Sequence, residues 1–399
     1  MDEVKSSARK DIELRSLLEI TQAINNNLSE DSLYKIYRFT LLANLNIKKL
    51  CLYVLDEDWD CKVNFGTAQD FYGLPLPESY KDLKASQKVS DCEEQFCEFT
   101  DVFPVSHKDR LLAVLFAVGE DMQDTGVDLT FLQAITNIII VAIENKKLAR
   151  KQLEQEAYRK EMEIARQVQN YLFPKYLPKE SNLQLEASYI PHNKVGGDYY
   201  DYIHVDNDRF ILCIADVSGK GVPAALLMSN FQASLRTLVR KSNNLTEIVT
   251  ELNYQINLSG NAENFITFFI GLYDAGKKKM NFVNCGHNPP LLINDGSETM
   301  LEAGTTILGM FQPLPFIKEG EINDLDKFLL FCYTDGLTET FNEREEEFGQ
   351  DRLFDVVRNA KESSPVSIHS EILDKLDLFR GEMGYHDDIT MLTCKVGDN

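Results

Sequence analysis

Apolar positions along the chain follow two rhythms, a helical one and a strand-like one, and the order in which they alternate sets the expected architecture. Ile12 to Ile24 repeats at helical spacing, with Leu14, Leu17, Leu18 and Ile24 on one face. Asn25-Asn26-Asn27 breaks that helix, and Ser29 to Asp31 opens a second one through Leu33, Ile36, Leu41 and Leu45. Lys49 to Leu55 reads as a strand. A polar middle follows, then strands near Phe99 to Val105 and Leu111 to Val118. From Thr125 onward the period is helical again and runs on past an ordinary helix length.

Between Glu144 and Leu172 this helix is densely charged, while Leu148, Leu153, Ala157, Ile164, Val168 and Leu172 recur mostly at steps of four or seven. That seam predicts a two-stranded coiled coil between protomers, the other reading being a solvated connector. Pro174 and Pro178 end it. Beyond, Leu183–Tyr189, Tyr199–Val205 and Phe210–Ala215 read as strands, Val222–Val239 and Leu245–Leu258 as helices. Strands return at Phe265–Tyr273, Met280–Cys285, Pro290–Ile293 and Lys327–Tyr333. A helical span, Asp351–Leu378, precedes a last strand at Ile389–Val396. Runs of strands broken by helix pairs predict packed sheets covered by helices, an α+β chain.

Composition narrows the setting. With 399 residues, two domains and a connector are expected, and 44% hydrophobic residues supply ample core. A net charge of −22 argues against nucleic acid or anionic lipid as a general partner. The eight cysteines are scattered, with no paired C-x-x-C motifs for structural zinc, and Cys213, Cys332 and Cys394 fall inside apolar runs that suit buried, reduced thiols. The N-terminal residues lack the apolar core of a signal peptide, and Ile138 to Ile143 is too short for a membrane span. A soluble, cytoplasmic protein is expected.

Three strand ends carry aspartate in turns. Asp216 closes the run Phe210 to Ala215 and is followed by Val217-Ser218-Gly219-Lys220-Gly221 and a helix start. Asp335 follows Phe328 to Tyr333, and Asp387-Asp388 opens Ile389 to Val396. Asp198 follows Gly196-Gly197. Any one of these reads equally as a helix cap or turn residue. Gathered together, with no Cys or His cluster nearby, such carboxylates suit oxygen-preferring Mg2+ or Mn2+.

Two resemblances organise these readings. Leu17-Leu18-Glu19-Ile20-Thr21, Ala23-Ile24 and Leu50 to Asp56 resemble a GAF domain over residues 10–145, joined by a helical linker at 146–180. No cyclic-nucleotide signature and no Cys-His pair is evident, so a small-molecule or protein signal and a ligand-free dimerisation domain both stay open. Over residues 160–396, five motifs in order resemble the metal-dependent protein phosphatase (PPM) family in its SpoIIE/RsbU-like bacterial subclass. They are Val195 to Asp201, Ala215 to Ala225, Asn284 to Pro290, Tyr333 to Glu339 and Asp387 to Thr390.

The resemblance implies a phosphatase domain at 181–399, a β-sandwich flanked by helices with a site for two divalent cations, Mn2+ or Mg2+. It implies catalytic roles for Asp198, Asp216, Asp335 and Asp387. As metal ligands it implies Asp216 with the Val217 carbonyl, Asp335, Asp198, and one of Asp387 and Asp388, with Asp387 preferred. Water activated between the two cations would attack a phosphoserine or phosphothreonine in line, without a covalent enzyme intermediate. The usual substrate of this subclass is a STAS-type anti-sigma factor antagonist. A homodimer is expected, with no nucleic acid partner. A silent adaptor that keeps the fold is the alternative, and the retained aspartates oppose it. His287 is expected to shape a turn with Asn288 and Pro289, Lys220 to be an exposed turn residue, and Lys194 to be a poor phosphate-gripping group.

Overall fold

The structure, a computed structural model, describes residues 2–44, 47–89, 94–118, 129–259 and 264–397. The chain divides into two compact units, Met1–Glu156 and Ala157–Asn399. The expected helix start at Thr125 lies outside the described residues, which resume at Leu129.

The first unit holds helices α1 (Asp2–Asn25) and α2 (Glu30–Phe39), strands β1 (Leu50–Leu55), β2 (Trp59–Phe65), β3 (Gln87–Lys88), β4 (Asp101–His107) and β5 (Arg110–Ala117), and the start of helix α3 (Leu129–Asn170). The strands form one antiparallel sheet in the order β2-β1-β5-β4-β3. Alternate residues face opposite sides of a strand. Leu50, Leu52 and Val54 of β1, with Ala113, Leu115 and Ala117 of β5, therefore join Ile20, Tyr37, Ile135 and Ile139 from the helices. Cys51, Tyr53, Val114 and Phe116 turn to the other face and meet Phe71, Tyr80, Phe96 and Phe99. With both faces covered, β1 reads in the sequence as one unbroken apolar run.

Three local expectations change. Trp59–Phe65 is a strand, although its sequence WDCKVNF mixes polar and apolar positions. Pairing with β1 holds it, through a register shift between Leu52 and Tyr53. On α1 the buried stripe is Ser16, Ile20 and Ala23, while Leu14 is 67% and Leu18 57% exposed. The buried face is offset from the expected one, of which Ile24 still packs against the core and Leu17 is half-buried. Helix α2 begins as expected, with Ser29 Oγ accepting from the Ser32 N–H at 3.3 Å, but it gives way to a π turn at Thr40–Asn44.

In the second unit the strands are β6 (Leu183–Ile190), β7 (Tyr199–His204), β8 (Arg209–Val217), β9 (Ile266–Asp274), β10 (Lys279–Cys285), β11 (Leu291–Asn294), β12 (Ser297–Met300), β13 (Gly304–Thr305), β14 (Gly320–Ile322), β15 (Phe328–Tyr333) and β16 (Ile389–Val396). The helices are α4 (Val222–Val239), α5 (Leu245–Ser259), α6 (Asp335–Thr338), α7 (Gly349–Asn359) and α8 (Pro365–Arg380). One sheet runs β13-β10-β9-β8-β7 with β14 beside β10, and the other runs β12-β11-β15-β16-β6.

The two sheets pack face to face. Phe210, Leu212 and Ile214 of β8 point between them, with Leu330 and Cys332 of β15 and Leu392 and Cys394 of β16. Ile211, Cys213 and Ala215 point outward to Met228, Phe231 and Leu252 of α4 and α5. On the far side Leu329, Phe331 and Tyr333 meet Leu353 and Ile372 of α7 and α8. Cys213, Cys332 and Cys394 are buried and free.

The short strands β12, β13 and β14 are too brief to carry a periodic signal. The helical span Asp351–Leu378 is two helices, because Ser364 caps a fresh one: its Oγ accepts from Ser367 N–H at 3.2 Å, with Pro365 in the first turn. Among the described residues no helix is long and apolar enough to cross a membrane.

Candidate functional site

The sandwich brings the aspartate-bearing strand ends to one edge. Asp198 precedes β7 and Asp216 lies near the end of β8, in one sheet; Asp335 follows β15 and Asp387-Asp388 precedes β16, in the other. Two threonines tie the sheets together there. Thr334 N–H donates to the Thr390 carbonyl at 3.0 Å, and Thr390 N–H donates to Thr334 Oγ1 at 2.9 Å. Both hydroxyls then donate to Asp198 Oδ2, Thr334 at 2.8 Å and Thr390 more closely.

The Gly196-Gly197 turn fits tightly against this edge. A Cβ on Gly197 would lie 2.6 Å from the Val217 carbonyl oxygen, and one on Gly196 only 1.9 Å from Asp388 Oδ2. Only residues without a Cβ bring the turn so close to both.

The electrostatics of the edge are those of crowded acids. Asp198 is 1% exposed, and burial, then Asp216 and Asp388, push its carboxyl well above the usual range. Burial, then Asp335 and Asp387, raise Asp216 to about 7, and it shares a hydrogen bond with Asp198. Asp335 is raised by burial first and Asp387 second. Buried carboxyls this close must share protons or be met by a cation.

Asp387 and Asp388 differ sharply. Both oxygens of Asp388 are taken by backbone: Oδ1 accepts from His192 N–H at 2.8 Å and Oδ2 from Gly197 N–H at 2.7 Å. Asp388 is therefore a brace for the glycine turn. The side chain of Asp387 is 40% exposed, and its Oδ2 meets Lys220 Nζ at 2.8 Å. Lys220 also donates to the His386 carbonyl at 2.6 Å. It lies across the site, where the sequence reading has only an exposed turn residue.

His287 is buried, with Nδ1 2.8 Å from the Thr267 hydroxyl, and burial lowers its pKa to about 4. Asn284 clamps its turn, rather than Asn288 or Pro289: Asn284 Oδ1 accepts from His287 N–H at 2.8 Å and Nδ2 donates to its carbonyl at 3.0 Å. Lys194 is exposed.

The donor set at this edge is all oxygen: carboxylates and the Val217 carbonyl. It suits hard divalent cations, which keep several waters and take one or two carboxylates each. Among the described residues, no three Asp, Glu, His or Cys side chains stand close enough to form a ready cage.

Residues 206–397 match the family described as Stage II sporulation protein E (SpoIIE). The chain is 29% identical over 249 residues to phosphoserine phosphatase RsbU of Bacillus subtilis (strain 168), covering 60% of this chain and 71% of that protein. This stretch is similar to SpoIIE-type phosphatase domains. A further relative, phosphoserine phosphatase RsbP of Bacillus subtilis (strain 168), is 24% identical over 223 residues, covering 55% of this chain and about half, 53%, of that protein. The chain is also similar in fold to the SiaA-PP2C domain of Pseudomonas aeruginosa, with a TM-score of 0.55 and 18% identity over 61% of this chain and 99% of that one. The family match takes in Asp216, Asp335, Asp387 and Asp388; Asp198 lies just upstream of it.

Proposed function

We propose that the chain is a metal-dependent protein serine/threonine phosphatase of bacterial signalling, acting on a phosphoserine or phosphothreonine of a regulatory protein, a STAS-type anti-sigma factor antagonist. The observation that carries this reading is the meeting of Asp198, Asp216, Asp335 and Asp387 at one sandwich edge, where burial first and neighbouring acids second raise Asp198, Asp216 and Asp335.

Two divalent cations, Mn2+ or Mg2+, when bound, would offset that charge and lower the pKa of water for attack on phosphorus. Asp216 would serve both, the Val217 carbonyl one of them, Asp335 and Asp387 the other, and Asp198 the one beside the glycine turn. The rest is the work of the chain's own groups. Thr334 and Thr390 orient Asp198 by their hydroxyls. Lys220 steadies Asp387 and offsets part of its charge. Asp388, with one oxygen on His192 N–H and the other on Gly197 N–H, holds the turn, and the more exposed Asp387 is the preferred ligand.

The first unit serves in this reading as a GAF-like sensory or dimerisation domain over residues 10–145, open to a small-molecule or protein signal, and residues 146–180 as the connector. A coiled-coil homodimer is supported by Leu148, Leu153, Ile164 and Val168 of α3, which are 53%, 68%, 61% and 58% exposed. Apolar residues left in water along a charged helix gain by pairing with a second copy.

The test is hydrolysis of p-nitrophenyl phosphate and of a phosphorylated STAS protein with Mn2+, Mg2+ or EDTA, on protein whose mass is measured by light scattering. Turnover that depends on added metal is expected, from a dimer. Undiminished turnover after thorough chelation would overturn the metal reading, and a monomer at micromolar concentration would remove the seam.

A further inference from the structure

The turn that delivers Asp198 is gripped by a side chain from an earlier element. Gln169, in the last turn of α3, is 5% exposed. Its Nε2 donates to the Gly196 carbonyl at 2.7 Å, and its Oε1 accepts from the Gly196 N–H at 3.3 Å. A carboxamide that bonds both polar groups of one residue fixes that residue's position and its rotation together. The next N–H, that of Gly197, is held by Asp388. Two consecutive backbone N–H groups are thus set by side chains from distant parts of the chain, and Asp198 is the residue that follows.

Gln169 is itself well anchored. The helix ends just beyond it, with Leu172 N–H bonding back to the Gln169 carbonyl at 2.9 Å. Phe173 then inserts among Tyr189 and Tyr200, with ring centroids 5.0 and 4.9 Å away. Gln232 of α4 donates to the Leu172 carbonyl at 3.2 Å. This second glutamine holds the same helix end but makes no bond to Gly196, so the two can be told apart by experiment.

We propose that Gln169 is a positioning residue for Asp198. By setting the Gly196 peptide it brings the Asp198 carboxyl onto Asp216 and the two threonine hydroxyls, and so tunes how tightly the edge takes a divalent cation. The inference rests on the metal reading of the site. Without Gln169 the Gly196 N–H and carbonyl lose its carboxamide, and of this pair of side chains only the Asp388 brace is left to hold the turn.

The experiment follows the thermal unfolding temperature of the full chain as Mn2+ alone is titrated in, and separately the Mn2+ dependence of turnover. Wild type is compared with Gln169→Leu, Gln169→Glu and Gln232→Ala. Gln169→Leu removes both bonds; Gln169→Glu keeps the acceptor but sets an oxygen against the Gly196 carbonyl. Both should need about 10–100-fold more Mn2+ for the same stabilisation, with the metal-free unfolding temperature within a few degrees of wild type and turnover at saturating Mn2+ largely restored. Gln232→Ala should titrate like wild type. If Gln169→Leu fails to fold, the isosteric Gln169→Glu decides. An unchanged Mn2+ titration in a folded Gln169 variant overturns the inference, as does an equal weakening in Gln232→Ala. Absence of any Mn2+ response in wild type would instead overturn the metal reading beneath it.

Discussion

The first strand of the catalytic sheet passes two carboxylates of equal depth and opposite circumstance. Asp198, just before β7, is 1% exposed, and Asp201, within it, is 0% exposed. Asp201 is fully matched from inside the protein. Arg236 donates to it through Nε and Nη2, each at 2.8 Å, and the Tyr199 hydroxyl and the Tyr202 N–H, at 2.9 Å, complete its shell. Asp198 receives two threonine hydroxyls and otherwise meets acids, Asp216 by a shared hydrogen bond and Asp388 through their charges. A buried carboxylate paired with arginine is a finished structural part. One surrounded by other acids is finished only by something from outside. Depth therefore does not separate structure from function here; the source of the compensating charge does.

The comparison can be broken most sharply at the edge. On the proposed metal reading, Asp335→Asn should lower turnover about a thousandfold, since several kcal/mol of charge stabilisation would depend on the cations it would help to hold. Its carboxyl is raised in the fold, so the ionised form costs stability at neutral pH, and the metal-free unfolding temperature should stay level or rise. A steep fall in unfolding temperature would place Asp335 with Asp201 instead.

Asp201→Ala should do the reverse. Stranding Arg236 is expected to cost about 3 kcal/mol, the low end for a buried pair because Arg236 is itself 43% exposed. In a unit of this size that is roughly 6–12 °C of unfolding temperature. The Mn2+ concentration needed for half-maximal turnover should stay put. A shift in it would mean that the two neighbourhoods are coupled.

A smaller effect sharpens the contrast with a buried group that needs no counter-charge. His369 bonds Ser188 Oγ through Nδ1 and Thr393 Oγ1 through Nε2, each at 2.8 Å. Burial lowers its pKa to about 4, below the ordinary 6.5. The fold thus holds the neutral ring, and the unfolded chain binds the extra proton. Stability present above pH 6.5 is lost as pH falls toward 4, about 2 kcal/mol of it between pH 7 and 5. His369→Gln, able to serve both hydroxyls without titrating, should flatten the decline of unfolding temperature with acid. Parallel curves for the two proteins would remove His369 from the account.

How far the sequence spoke depended on whether a contact was local. The strand cores were readable because each sheet face is covered, which turns whole strands apolar. The aspartates were readable because each sits where such a run stops. Thr334 and Thr390 lay inside the same short motifs, but a threonine at a strand end is ordinary, and its hydroxyl's target is 136 residues away for one and 192 for the other. Asp387 and Asp388 are adjacent, so spacing could not show that Asp388 braces the glycine turn; only the backbone donors of His192 and Gly197 do. Lys220 looked idle because His386 and Asp387, its partners, come from the other sheet's turn. Leu14 and Leu18 made the obvious stripe on α1, yet the sheet accepted the one through Ile20 and Ala23.

The pairing of β16 with β6 sets a timetable for synthesis. Ile389 lies opposite Ile190 and Val396 opposite Leu183, so a strand near the start of the unit waits for one near residue 390 before the second sheet closes. Pairings so far apart in the chain form slowly and late. The hairpins β1–β2 and β4–β5 of the first unit can form while most of the catalytic unit is still being translated. Because Asp387 and Asp388 travel with β16, a nascent or C-terminally trimmed chain has neither the brace nor the last acid. The acid-lined edge is therefore complete only once that strand has docked.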